Sequence, residues 1–255
     1  MAIRSHRHAA PLAAYVLHRY DWSESSLILD LFTREQGRCA VAAKGAKRPY
    51  SQLRGALLPF QRLHVSLGKA PRHDEGASEV QTLRGAEWAG GAAMLTGAAL
   101  FSGFYLNELL MKLLARHDPH AALFDAYAAT LPALVDADDS RVEAALRAFE
   151  LTLLREIGLL PDLSVATQTQ QLVAERARHE LLPEAGVVPA AHGEFDGATL
   201  VGLQAALEHG SLAALQQACV PCVGALKRPL RALIQQQLGS APLRTRQALL
   251  DLQRL

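Results

Sequence analysis

The chain has 255 residues, half of them apolar and only 5% aromatic, and a formal net charge of +1. That length accommodates one large domain or two small ones, and the abundance of alanine, a strong helix former that is depleted in strands, argues against a protein built of sheet throughout. The near-zero charge taken alone argues against a nucleic-acid ligand, but it hides an asymmetry: residues 1–84 carry 13 Lys/Arg against 7 Asp/Glu, a net of +6, and residues 85–255 carry 13 against 18, a net of −5.

The apolar stretch Ala9–Leu17 follows basic residues, but His18, Arg19 and Asp21 cut it short and no small-residue cleavage site follows, so no signal peptide is expected. Short strands are predicted at Leu12–Leu17, Ser26–Thr33, Arg38–Ala43, Phe60–Leu67 and Ser78–Leu83, each about one strand length. Turn-prone segments separate them: Asp21-Trp-Ser-Glu24, Glu35-Gln-Gly37, and Gly68 through Gly76. Five such strands in about 80 residues fit a small closed barrel, which leaves no bare sheet edge; an open half-sandwich is the alternative.

From about Glu87 the period becomes helical. Ala92–Leu106 is the most apolar run, but Asn107 and Glu108 end it short of the ~20 residues a membrane span needs, so it reads as a buried helix. Leu106, Leu109, Leu110, Leu113 and Leu114 make one apolar stripe, and Leu146, Phe149, Leu153 and Ile157 another that stops at Gly158. Asp118-Pro119 marks a boundary before a helix at Leu123–Leu134. Residues 162–198 lack a clean period and read as a loop-rich insert with one short strand at Gly186–Val188. Helical pattern returns at Leu200–Leu207, Leu212–Gln217 and Val223–Leu238, where Pro229 should kink or break the helix and Gly239 can cap it.

Lys44-Gly-Ala-Lys-Arg-Pro-Tyr-Ser-Gln-Leu-Arg54 is the richest functional stretch, with Gly45 and Pro49 keeping it out of helix and central strand. Its cations, Lys44, Lys47, Arg48 and Arg54, can supply charge for phosphates, and Ser51 or backbone N–H groups shorter positioning bonds; on spacing alone a solvated basic loop with no ligand is the alternative. Tyr50 among them can stack a base. Arg34, Arg38 and Arg62 lie near strand ends and extend the same face if they point with it; each alone is an ordinary surface charge. Tyr20 and Trp22 are further stacking candidates, though in a small barrel such residues are more often partly buried.

The run Ala14-Tyr-Val-Leu-His-Arg-Tyr-Asp-Trp-Ser-Glu-Ser-Ser-Leu-Ile-Leu-Asp-Leu-Phe-Thr33, then Gly37, Ala43-Lys-Gly-Ala-Lys-Arg48, Ser51 and Leu53-Arg-Gly-Ala-Leu-Leu-Pro-Phe60, resembles the N-terminal domain of the RecO family nearly end to end. The likeness continues through Tyr105-Leu-Asn-Glu-Leu-Leu110, Leu123-Phe124, Phe149-Glu-Leu-Thr-Leu-Leu-Arg-Glu-Ile-Gly158 and Leu243-Arg-Thr-Arg246. It implies an α+β fold: a five-stranded OB-fold barrel, set here at 1–84, followed by an α-helical domain at 85–255. It also implies DNA repair and recombination without catalysis: binding of single- and double-stranded DNA, ATP-independent annealing, and, with RecR, loading of RecA onto strands coated with single-strand-binding protein. The DNA-binding residues carried over are Lys44, Lys47, Arg48 and Arg54, flanked by Arg34 and Arg38. Many relatives hold zinc with four cysteines after the Gly-x-x-Pro-Asp-Leu turn; here Pro161-Asp-Leu-Ser-Val-Ala-Thr-Gln-Thr169 contains none, so neither a structural zinc nor another cofactor is expected.

Lys227, Arg228 and Arg231, with Arg244 and Arg246 beyond the Gly239–Pro242 turn, form a second basic patch suited to DNA or an acidic partner, or else simply the charged rims of an amphipathic helix. A helical-domain groove flanked by Arg147 or Arg155 is the other candidate for the acidic, apolar-ended tail of single-strand-binding protein. Cys219-Val-Pro-Cys222 has a redox-like spacing, but helix rather than strand precedes it, so buried junction cysteines are the better reading. With Cys39 these make three cysteines, which form no disulfide framework. The expected location is the cytoplasm, at the nucleoid and not in a membrane. Absence of a Walker Lys-Ser/Thr motif argues against an ATPase. The alternative function is a protein-docking module whose DNA contact is incidental.

Overall fold

The computed structural model describes residues 10–68, 80–90, 94–136, 138–239, 242–245 and 247–248. By its contacts the chain divides into two compact units, Met1–Met94 with Leu114–Phe124, and Leu95–Leu113 with Asp125–Leu255.

The first unit is built on β1 (Leu12–Asp21), β2 (Leu27–Thr33), β3 (Gly37–Ala43), β4 (Leu63–Leu67) and β5 (Gln81–Trp88), with a short helix α1 (Gln52–Ala56) between β3 and β4. The strands close into a barrel in the order β1-β2-β3-β5-β4, with β3 and β5 parallel and the other pairs antiparallel. This is the OB-type barrel the sequence predicts, and closure satisfies its edges. Alternating small and branched residues, among them Ala14, Val16, Leu29, Leu31, Val41 and Leu63, fill its interior.

Three strand boundaries differ from the sequence reading. β1 does not stop at Leu17: after a bulge between Val16 and His18 it continues to Asp21, pairing Arg19 with Leu29 and Asp21 with Leu27. The buried side chains end at the bulge, so the outer half of the strand has no apolar signal although its ladder persists. β4 begins at Leu63 rather than Phe60, because the buried Phe60 sits at φ 65°, outside strand geometry. β5 reaches Trp88 through the polar run Arg84-Gly-Ala-Glu87, while Ser78 and Glu79 fall outside the described residues.

Leu114–Phe124 is grouped with the barrel for visible reasons. The Phe124 ring packs 5.3 Å from Tyr15 and 5.4 Å from Phe32, and the His117 amide donates to the Arg38 carbonyl at 2.8 Å. Gly37 turns the β2–β3 hairpin at φ 66°, and a Cβ there would lie 1.9 Å from the Asp118 carbonyl oxygen.

The second unit contains α2 (Gly97–Leu113), most of α3 (Ala121–Ala133), α4 (Asp139–Glu156), α5 (Gly197–His209), α6 (Leu212–Cys219) and α7 (Val223–Leu238). The predicted stripes are its core: Leu106, Leu109 and Leu110 of α2, and Phe149 and Leu153 of α4, are buried. Asp138 caps α4 by accepting the Ser140 amide at 2.9 Å. α7 continues through Pro229 instead of breaking, with that ring buried. Among the described residues no helix is long and apolar enough to cross a membrane.

The insert at 162–198 holds more strand than its composition suggests. β6 (Val165–Ala166) pairs with β7 (Gln171–Leu172), and β8 (Arg178–Leu182), β9 (Gly186–Pro189) and β10 (Phe195–Asp196) form a sheet in the order β10-β8-β9. Thr167 ties the two pieces: its amide donates to the Val187 carbonyl and its hydroxyl accepts the Val187 amide, both at 2.9 Å. Strands of two to five residues are too short to show a period in sequence.

Candidate nucleic-acid interface

Beyond the bulge in β1, the barrel extends as three strand ends, with Asp21 opposite Leu27 and Leu27 opposite Ala43. The β1–β2 loop and the basic segment that follows β3 therefore emerge side by side. Backbone and side-chain bonds join them: the Lys47 amide donates to the Ser25 carbonyl at 2.9 Å and the Gly45 amide to the Ser26 hydroxyl at 3.3 Å. Gly45, at φ 71°, makes the turn that starts the segment. Ala46 and Leu57, each 1% exposed, anchor it in the barrel core. Apolar anchors and polar display alternate, so the cations stay outside while the backbone is fixed.

Lys44, Arg48 and Arg54 are exposed, Arg54 on α1 and Arg48 with its guanidinium folded near Gly45. Lys47 stands differently. Its ammonium lies 3.0 Å from the Asp21 carboxylate and donates at 3.0 Å to the Ser23 carbonyl, so its charge is partly neutralised. Lys47, Arg54 and Asp21 line a shallow concavity of about 410 Å³ with Arg19, a cation the sequence reading did not single out. Arg19 donates to the Leu57 carbonyl at 3.3 Å, placing it at the edge of the same segment.

Exposed aromatic residues lie on the same basic segment and at the β1–β2 turn. Tyr50 is 99% exposed, Trp22 56% and Tyr20 43%, so the stacking candidates Tyr20 and Trp22 are both accessible in part. From His18, just past the bulge, the side chains of β1 are exposed. Tyr20 still has a partner, since its hydroxyl donates to Asp30 at 3.3 Å; burial, then the Asp30 carboxylate, raises its pKa.

Arg34 and Arg38 are not part of this cluster. Both lie toward the β2–β3 turn, one strand length of about 20 Å from Lys44. Arg34 is exposed there, whereas Arg38 is half-buried beside Asp30 and Arg116, and Arg116 reaches Asp30 at 3.3 Å. Burial lowers the Arg38 pKa, with Asp30 opposing the shift, so this guanidinium balances a buried carboxylate.

The second basic patch divides. Lys227 and Arg231, one turn apart on α7, line a cavity of about 470 Å³ with Arg147 of α4 over an apolar floor that includes Phe101, Leu146 and Ile234. Arg228 points elsewhere and pairs with Glu194 at 3.4 Å. Arg155, the other predicted flank, donates to the Leu207 carbonyl and does not line the cavity. Arg244 is exposed and its amide is bonded to Glu108 at 2.8 Å; Arg246 lies outside the described residues. Under the cavity Glu150, fully buried, accepts from Tyr105 at 2.7 Å and from Arg147 at 2.5 Å. Burial raises the Glu150 pKa, with Arg147 and Tyr105 holding the shift back.

Cys39, Cys219 and Cys222 are free and buried. Burial pushes the Cys39 thiol up to about 12 and Cys222 to about 11, and raises Cys219 further, the opposite of an activated redox pair. Among the described residues no three His, Cys, Asp or Glu side chains gather to hold a metal ion.

Comparison with known proteins gives a consistent result. Residues 11–89 match the family described as Recombination protein O N terminal, and residues 94–247 the one described as Recombination protein O C terminal. The chain is 52% identical over 246 residues to the DNA repair protein RecO of Polaromonas naphthalenivorans, covering 95% of this chain and 96% of that one. It is 51% identical over 253 residues to the protein of that name from Variovorax paradoxus, with the same coverage. For the Acidovorax ebreus protein the identity is 49% over 262 residues, covering 98% and 99%.

Proposed function

Because the chain belongs to the RecO family of DNA repair proteins, we propose that it binds single- and double-stranded DNA through its barrel and anneals complementary strands without ATP. With RecR it then helps load RecA onto strands coated with single-strand-binding protein, in the cytoplasm at the nucleoid and without catalysing a covalent step. One observation carries the DNA-binding reading: Lys44, Arg48 and Arg54 are exposed together on a segment bonded to the β1–β2 loop, beside the exposed rings of Trp22 and Tyr50. Cations that follow a phosphate backbone and rings that stack bases are the two requirements of sequence-tolerant single-strand binding.

Annealing follows from electrostatics. Cations bound to phosphates release counterions and lower the repulsion between two strands, so complementary bases can meet. In the helical unit, the cavity between Arg147, Lys227 and Arg231 suits the acidic, apolar-ended tail of single-strand-binding protein, since it offers positive charge above an apolar floor. The test is annealing of complementary oligonucleotides without nucleotide. Faster annealing with the protein, lost when Lys44, Arg48 and Arg54 become alanine, supports the reading. Equal rates with and without the protein contradict it and favour a docking module.

A further inference from the structure

Two stretches far apart in the chain meet in the helical unit. Glu108, in the Tyr105-Leu-Asn-Glu108 run of α2, is buried, and its carboxylate accepts three bonds from the chain near its C-terminal end: the Arg244 amide at 2.8 Å, the Thr245 amide at 2.9 Å and the Thr245 hydroxyl at 2.7 Å. Arg244 and Thr245 are helical, so Glu108 does from another element what an N-cap side chain does for its own helix, satisfying amides that have no intrahelical partner. Lys112, one turn on, adds a second stitch: its ammonium lies 3.3 Å from Glu108 and donates to the Pro242 carbonyl at 2.9 Å. Burial by itself would raise the Glu108 pKa, but the bonds from Thr245 and Arg244 outweigh it and hold the carboxyl below its ordinary range.

The stitched residues are also a wall. Pro242, Leu243, Thr245 and Gln247 line the same cavity as Arg147, Lys227 and Arg231. We propose that residues 242–245, with Gln247, form a strap closing one side of this cavity, and that Glu108 is the positioning residue whose grip on Arg244 and Thr245 lets the cavity retain an acidic peptide with an apolar, carboxylate-bearing end. The inference rests on the reading of the cavity as a tail site and adds the element that makes it retentive. Charge complementarity identifies the occupant: Arg147, Lys227 and Arg231 line the cavity, Arg147 bonded to the buried Glu150 and Lys227 3.8 Å from Glu143 at the surface, and Phe101, Leu146, Ile234 and Leu243 supply the apolar surface. A strap withdrawn from Glu108 leaves that surface open to water, which removes part of the burial of the peptide's end and screens its carboxylates from the cations.

The experiment uses the full chain and a fluorescent nine-residue acidic peptide ending in apolar residues and a free carboxylate, followed by anisotropy and stopped flow. Lys227→Glu reports on the cavity and Glu108→Gln on the strap; in the latter the new amide presents N–H donors where the carboxylate accepted. The expected result is binding to the unaltered chain, weakening by Lys227→Glu, and about tenfold weaker binding for Glu108→Gln, carried by faster dissociation with association unchanged. Affinity for single-stranded oligonucleotides stays the same in Glu108→Gln. Hydrogen exchange gives the readout a merely structural clamp would not move: the amides of Arg244 and Thr245 gain protection on adding peptide. A chain ending at Ser240 provides the second variant and should lose peptide affinity at least as strongly. Peptide binding by Glu108→Gln or by the shortened chain equal to that of the unaltered protein, with Lys227→Glu weakened, overturns the strap while leaving the tail site standing. Peptide binding insensitive to Lys227→Glu, or none at all, overturns the tail site and the strap with it.

Discussion

The Lys47 ammonium lies 3.0 Å from the Asp21 carboxylate, bridging the segment after β3 to the end of β1. The pair sits at the surface, with Asp21 81% exposed, so it contributes little to stability. It does hold one negative charge within the cationic surface. Replacing Asp21 with Asn should therefore raise affinity for single-stranded DNA about two- to threefold at low salt, with the gain fading as salt is added. Oligonucleotide titration at two salt concentrations checks this, and weaker binding by Asp21→Asn would mean the pair is needed to shape the site.

Base stacking should be separable from charge. Trp22→Ala and Tyr50→Ala remove exposed rings without disturbing the core, and each should weaken single-strand binding by about 1–3 kcal/mol with no change in the salt slope. Trp22 emission should also respond to oligonucleotide. Equal affinities across the unaltered and substituted chains would leave phosphate contact as the whole of recognition.

Gly37→Ala tests the link between the hairpin and the Asp118 backbone. The new Cβ would meet the Asp118 carbonyl oxygen at 1.9 Å, at a φ that disfavours any side chain. The expected loss is about 2 kcal/mol or more, read from the urea midpoint. A midpoint equal to that of the unaltered protein would show that the Asp118 segment yields without penalty.

The buried thiols carry a pH prediction. Cys39 and Cys222 are pushed up to about 12 and about 11, and an unfolded cysteine titrates near about 8.5. A folded pKa above the unfolded one means the folded chain keeps protons the unfolded chain has lost. The stability these thiols contribute is then complete below about pH 8.5 and declines as pH rises through the folded values. Native protein at pH 8 should react with iodoacetamide far more slowly than urea-unfolded protein; labelling at equal rates would contradict the burial described here.

Much of this architecture was legible in the residues. The strand runs and turn residues from Leu12 to Leu83 give the barrel, and the stripe from Leu106 to Leu110 gives the core face of α2. The cations of 44–54 were legible as a cluster because they are contiguous. Their individual roles were not: Lys47 meets Asp21 only because a bulge near Leu17 carries β1 onward, and Arg38 sits inside a charge cluster completed by Arg116. Arg19 entered the sequence reading only as a break in an apolar stretch, because one arginine past a predicted strand has no pattern. The clamp between Glu108 and Thr245 spans 137 positions, a separation at which local periodicity carries no information. For Tyr20 and Trp22 the choice between stacking and partial burial stayed open in the sequence, because only the pairing geometry shows where the barrel wall ends.

The central claim, that exposed cations after β3 hold a polyanion, is tested most directly by the salt dependence of single-stranded DNA binding. The unaltered chain and a variant with Lys44, Arg48 and Arg54 all replaced by alanine are titrated from low to physiological salt. Each phosphate contact contributes about 0.7 to the slope of log affinity against log salt for a single strand, so the variant's slope should be shallower by about 2. Parallel lines for the two proteins would place the DNA elsewhere and contradict the account.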